Sequence, residues 1–221
     1  MKGIWILLLL ILTAAIPVII VFFWFRRRRL AGKSSVSLLW LLVSLTAGII
    51  SLLAAALFQS LFPPSGRAGL GPLFFGVFIR VALVEEASRL VTLIPLFKAG
   101  NRRRYIDKTF GAALGLAAGL GFAAIENALY GTADINITLL RAFTAAPLHG
   151  ACGIRAGAAA SVFRQHPSKA LFLFISAVLI HGTYNLMIES PILPSALAVL
   201  IAFAALFASL PYIYDSGPKG Y

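Results

Sequence analysis

Val84-Glu85-Glu86-Ala87-Ser88-Arg89 places two carboxylates and a guanidinium inside a long apolar stretch of the chain. Ionisable side chains in such surroundings are costly and point to function. Arg89 follows Glu85 by four residues and Glu86 by three, so on a helix it can pair with either. One ion pair then leaves one carboxylate over, a candidate proton carrier; the alternative is a purely structural clasp between helices. Further along, Gly121-Phe122-Ala123-Ala124-Ile125-Glu126-Asn127 sets a Glu-Asn pair in another apolar stretch, and Pro147-Leu148-His149-Gly150 sets a histidine in the next. In His181-Gly182-Thr183-Tyr184-Asn185 the histidine and the last asparagine share one helical face. A lone histidine of this kind is commonly a packing hydrogen-bonder. Two of them, beside three glutamates on neighbouring stretches, argue for chemistry.

A Glu/His/Asn set can act in two hydrolytic ways. It can bind a metal ion through His and Glu with a carboxylate as general base, or activate water without metal, with Asn as oxyanion donor. The same groups also build proton relays, so a proton- or ion-coupled transporter is a second reading, and a catalytically silent membrane scaffold a third. Other chemistries lack their residues. There is no His-Glu-x-x-His and no Gly-x-Ser-x-Gly. Asp107, Asp134 and Asp215 fall in expected connectors, which argues against an aspartyl dyad. Cys152 is the sole cysteine, too few for a disulfide or a thiolate cluster, and is expected to pack in a helix contact. His166, in Arg164-Gln165-His166-Pro167, is expected in a solvated connector. Arg80, Arg141 and Arg155 fall inside or near span ends, where they either snorkel or pair.

The elements that carry these residues are membrane spans. Of 221 residues 60% are hydrophobic and only 12% charged, with a mean hydropathy of +0.94, against about 25% charged in soluble domains. Apolar stretches run over 3–25, 36–62, 72–97, 109–131, 137–163, 168–189 and 192–213. They lack the alternation of barrel strands, so they are expected to be helices. The predicted fold is an all-α polytopic transmembrane bundle of about seven spans, a single domain over 1–221. Met1-Lys2 and the run to Phe25 have some look of a cleaved signal peptide, but the length favours a retained first helix. The net charge of +12 sits mainly in alternate connectors: Arg26 to Arg29 with Lys33, Lys98 with Arg102 to Arg104 and Lys108, and Arg164 with Lys169. The others hold Arg67, Asp134 and Glu189. This distribution predicts an outside N-terminus and a cytoplasmic C-terminus, and makes the lipid bilayer, not nucleic acid, the partner of the charge.

Pro63-Pro64-Ser65-Gly66 and Pro191 to Pro194 separate spans. Gly111, Gly115 and Gly119 recur every four residues, a stripe that admits a close helix neighbour. No internal repeat is evident, which disfavours an inverted-repeat transporter. At about 1.5 Å per residue, Glu85, His149, His181 and Glu126 lie roughly 20, 18, 12 and 8 Å from the outer ends of their spans. One pocket in the outer half can contain them all.

The ordered set Glu85-Glu86-x-x-Arg89, Phe122-x-x-x-Glu126-Asn127, His149 and His181-x-x-x-Asn185 resembles the PrsW-type intramembrane proteases, over about residues 72–190. The layout is also similar to the type II CAAX prenyl endopeptidases and Abi proteins, which have Phe-x-x-x-His where this chain has Phe-x-x-x-Glu. That departure favours PrsW. The resemblance implies a metalloprotease of the bacterial plasma membrane cutting a membrane-anchored protein, an anti-sigma factor in the best-known case, on its external side. Carried over, Glu85 or Glu86 would activate water, Glu85 preferred, with Glu86 and Arg89 holding the geometry. His149, His181 and Glu126 would ligate a metal such as Zn²⁺, and Asn185 would steady the oxyanion or orient His181.

Overall fold

The computed structural model describes residues 2–30, 36–62, 69–99, 108–130 and 135–214. Lys33, Arg67, Arg102 to Arg104, Asp107, Asp134 and Asp215, and the Pro63 to Gly66 breaker, lie outside the described residues. Among those described, the regular elements are all helical. They are α1 (Lys2–Leu30), α2 (Leu38–Leu61), α3 (Leu70–Phe74), a π-helical segment (Phe75–Leu83), α4 (Val84–Ala99), α5 (Lys108–Tyr130), α6 (Ile135–Phe143), α7 (Ala145–Val162), α8 (Pro167–Glu189), α9 (Ala196–Ser209) and α10 (Pro211–Tyr214). Four helical stretches, Leu38–Leu61, Lys108–Tyr130, Pro167–Glu189 and Ala196–Tyr214, are long and apolar enough to cross a membrane. Their outward faces carry exposed Leu53 and Leu57 on α2 and Phe172, Ile175 and Leu179 on α8. Such a surface is stable only against lipid, and the chain is an integral membrane protein.

Two apolar stretches differ from a plain span. The third runs unbroken from α3 through the π segment into α4. A π turn adds a residue to the helical repeat and commonly marks a functional site; here it ends at Leu83, two residues before Glu85. The fifth breaks at Thr144 (φ −121°, ψ −62°) into α6 and α7. Pro147 is the cause: it lacks an N–H and its ring clashes with the carbonyl four residues back, so it fits only a first turn. His149 therefore stands about one turn into α7, nearer a helix start than the unbroken stretch implies.

The core is the α5–α7 pair. α5 is the most enclosed of the four spanning stretches, with 72% of its apolar window buried against 28–39% for the others. The glycine stripe explains the enclosure. A Cβ at Gly115 would overlap the Gly153 carbonyl, and one at Gly119 the carbonyl of His149. Backbone meets backbone there, and no side chain fits. Gly115→Leu is therefore expected to cost more than about 3 kcal/mol, beyond ordinary overpacking, read as loss of the folded fraction in a thermal melt in detergent.

One end of the bundle gathers basic groups on aromatic rings. The Arg28 guanidinium lies 4.6 Å from the Tyr214 ring centroid, and Lys108 Nζ lies 4.4 Å from that of Tyr212. These contacts join the end of α1, the start of α5 and α10. The intramembrane arginines do pair. Arg80 Nε donates to the Phe62 carbonyl at 2.7 Å, capping α2. Arg155 donates to Ser209 Oγ at 3.1 Å and Ser176 Oγ at 3.0 Å, tying α7 to α9 and α8.

Candidate active site

The first turn of α4 presents Glu85 and Glu86, and the next turn Arg89. Glu86 and Arg89 are wholly buried, and Arg89 Nη1 bonds Glu86 Oε2 at 2.5 Å. The guanidinium also lies 4.6 Å from the Phe122 ring centroid. Arg89 thus selects Glu86, and the carboxylate left over is Glu85. Gln59 Nε2 of α2 donates to Glu85 Oε1 at 3.2 Å. Glu85 Oε2 is buried without a hydrogen-bond partner among the described residues, 3.7 Å from His181 Nε2.

Each histidine is held by a different carboxylate. His181 Nδ1 lies 2.8 Å from Glu86 Oε1, and His149 Nε2 lies 2.8 Å from Glu126 Oε2. Arg141, at the end of α6, donates through Nη2 to the same Glu126 oxygen at 2.7 Å and through Nε to Asn127 Oδ1 at 2.9 Å. The bonding assigns the tautomers. A carboxylate accepts, so Glu86 places the proton of His181 on Nδ1 and leaves the Nε2 lone pair facing Glu85. A guanidinium only donates, so Arg89 Nη2, 3.4 Å from His149 Nδ1, marks Nδ1 as the acceptor and Nε2 as the N–H given to Glu126. The two imidazoles stand edge to face, 5.0 Å between centroids.

Ligand atoms of Glu85, His149 and His181 lie within 4.8 Å of one another, all three residues buried. A His/His/carboxylate set suits Zn²⁺ or a similar divalent ion, and the orphaned Glu85 Oε2 is the kind of buried acceptor that a cation would satisfy. The residues fit a metal. Glu126, expected as a ligand, stands outside this triad and grips His149 and Arg141 instead; Glu85, expected as the base, stands inside it. Asn185 is half-buried one turn beyond His181, but both nitrogens of that ring face carboxylates, so Asn185 is not what orients it. His166 is exposed, as a solvated connector requires. Cys152 is buried, its thiol 3.6 Å from the Ala177 carbonyl in the α7–α8 contact.

Two participants escaped the sequence reading. Gln59 has a signal in hindsight, as the only side-chain amide in α2. Arg141 had none that separated pairing from snorkelling.

A polytopic helical membrane protein with an enclosed cluster of carboxylates and imidazoles is the class that fold and site define. Residues 36–210, most of the chain, match the PrsW family intramembrane metalloproteases, and the chain belongs to that family. No curated protein and no solved structure matches it.

Proposed function

We propose that the protein is an intramembrane endopeptidase that hydrolyses a peptide bond of a membrane-anchored protein at the Glu85/His149/His181 cluster, with a metal ion. The observation that carries this reading is the convergence of ligand atoms from three buried residues, with one Glu85 oxygen lacking a hydrogen bond among the described residues. Glu85, His149 and His181 would hold the ion, Zn²⁺ by the chemistry of the set, which when bound supplies Lewis-acid polarisation of water and of the scissile carbonyl. Glu126 takes the proton of the attacking water. Its Oε2 accepts from His149 and Arg141, so Oε1 is the oxygen that can do so. Water oxygen bonds to the carbonyl carbon, the C–N bond breaks, and the proton passes from Glu126 to the departing amine. Glu86 holds His181, Arg89 holds Glu86, and Asn185 donates to the developing oxyanion.

The chain is one domain of seven spans, with the third formed by α3, the π segment and α4, and the fifth by α6 and α7. Its N-terminus is outside and its C-terminus cytoplasmic, in a bacterial plasma membrane. The shared end of α1, α5 and α10, where Arg28 and Lys108 lie on tyrosines, supports a single basic face. Glu126 is one turn from the end of α5 and His149 one turn from the start of α7, both at the opposite face. Cleavage is therefore external, and a regulator such as an anti-sigma factor is a fitting substrate.

One contact favours a second reading. Arg89 Nη2 occupies the lone-pair side of His149, and a cation there would compete with the guanidinium. In that case Glu85, with its unpartnered oxygen, is itself the base and no metal is used. Elemental analysis of detergent-purified protein, wild type beside a His149→Ala/His181→Ala variant, separates the two. One zinc per chain, lost in the variant, is expected. A metal-free protein that cleaves a reporter establishes the metal-independent route instead.

A further inference from the structure

A cavity of about 1110 Å³ opens between the end of α2, α3 with the π segment, and the end of α8. We propose that it is the substrate groove: it receives an extended, apolar, membrane-proximal segment of a single-span protein and leads it to Glu85. The inference rests on the protease reading and adds the route and the kind of sequence taken.

Continuity with the site comes first. Gln59 lines the cavity, and its side-chain amide is bonded to Glu85. Occupancy of the groove is thus one residue away from the Glu85 carboxylate of the ligand triad.

Position selects the occupant. The groove lies where α2 ends, α3 begins and α8 ends, at the face opposite the basic one. A single-span protein leaves the bilayer at that level, and an extended segment there needs acceptors for its N–H groups. Arg80, which donates to the Phe62 and Gln59 carbonyls at the end of α2, lines the same cavity, and the Glu189 carboxylate is an acceptor there. Glu189 stands on the rim with Arg80, so the mouth has both signs of charge and the walls are apolar, Leu73 and Ile79 among them. A volume above the usual range of about 300–1,000 Å³ for small-molecule pockets suits several residues of polypeptide.

One wall position is open. A Cβ at Gly76, which lines the cavity, would meet nothing within 4 Å, so Gly76→Trp is expected to fill the groove with its indole.

The test uses the full chain carrying Glu126→Gln, so that no cleavage intervenes and the Glu85–Gln59 link is kept, in phosphatidylethanolamine/phosphatidylglycerol vesicles. A benzophenone amino acid replaces Ile79 in the groove or, as control, the lipid-facing Leu179 of α8. The probe is a biotinylated leucine-rich single-span peptide with an extended apolar segment on its outer side. The outer segment is expected to cross-link from position 79 and not from 179. Gly76→Trp should lower that yield about tenfold or more, the loss of one buried aliphatic contact, at unchanged melting temperature. Cross-links to lipid alone, equal yields from both positions, or no peptide cross-link overturns the groove. Cleavage of the probe by wild type is scored separately. Cleavage without a groove cross-link defeats only the groove, and a groove cross-link without cleavage leaves the groove standing and counts against the protease.

Discussion

Glu85→Gln is expected to abolish both zinc binding and proteolysis, while Glu126→Gln abolishes proteolysis and keeps the zinc. The contrast follows from where each carboxylate stands. Glu85 belongs to the triad of ligand atoms and has one oxygen with no hydrogen-bond partner among the described residues. An amide there removes the only negative charge in the ligand set, and the loss in metal affinity should exceed the roughly 10–100-fold seen when outer partners of ligands are changed. Glu126 supports His149 through one oxygen. A glutamine can accept the same N–H, so the imidazole keeps its tautomer, but it cannot take a proton from water, and the turnover rate should fall about 10²–10⁴-fold. Metal content and single-turnover cleavage, measured on the same two preparations, decide it. Zinc retained by Glu85→Gln with activity lost would return Glu85 to the role of base. Zinc lost from Glu126→Gln would make Glu126 a ligand after all.

The placement of the two carboxylates shows what could be read from the residues alone. Glu85, Glu86, Arg89, Glu126, His149 and His181 were legible because a charged or titratable group in an apolar run has no solvent to face, so its partners must lie on other helices. Which partner is another matter. Arg89 reaches Glu85 or Glu86 equally well along the helix, and only Phe122 from α5 and the approach of His181 from α8 settle it on Glu86. The all-helical architecture and the α5 glycine stripe were likewise readable, since both depend on composition and period. The break at Thr144 was not, because hydropathy measures how apolar a stretch is and is blind to whether its backbone is continuous. Pro147 was in plain view, yet a proline in a first turn and one in a kinked helix look alike in sequence. The π segment left no compositional trace at all.

Arg89→Met is expected to destabilise the protein by about 3–5 kcal/mol, as breaking one side of a buried ion pair does. The guanidinium is wholly enclosed; it neutralises Glu86, lies on the Phe122 ring and touches His149. Methionine fills the volume but strands the Glu86 carboxylate, whose remaining partner is His181 Nδ1. If the stranded charge is the cause, Glu86→Gln/Arg89→Met should recover most of the lost stability, because the neutral amide no longer needs a cation and can still accept from His181. Arg89→Lys should fall between, since a lysine can meet Glu86 but cannot span Glu86, Phe122 and His149 with one planar group. Thermal and denaturant melts of the variants in one detergent measure this directly. A double variant as unstable as Arg89→Met would show that Arg89 acts by packing on Phe122, not by neutralising Glu86. Recovered stability without recovered proteolysis would separate the two tasks of the Glu86–Arg89 pair, holding the helix and holding His181 in register with Glu85.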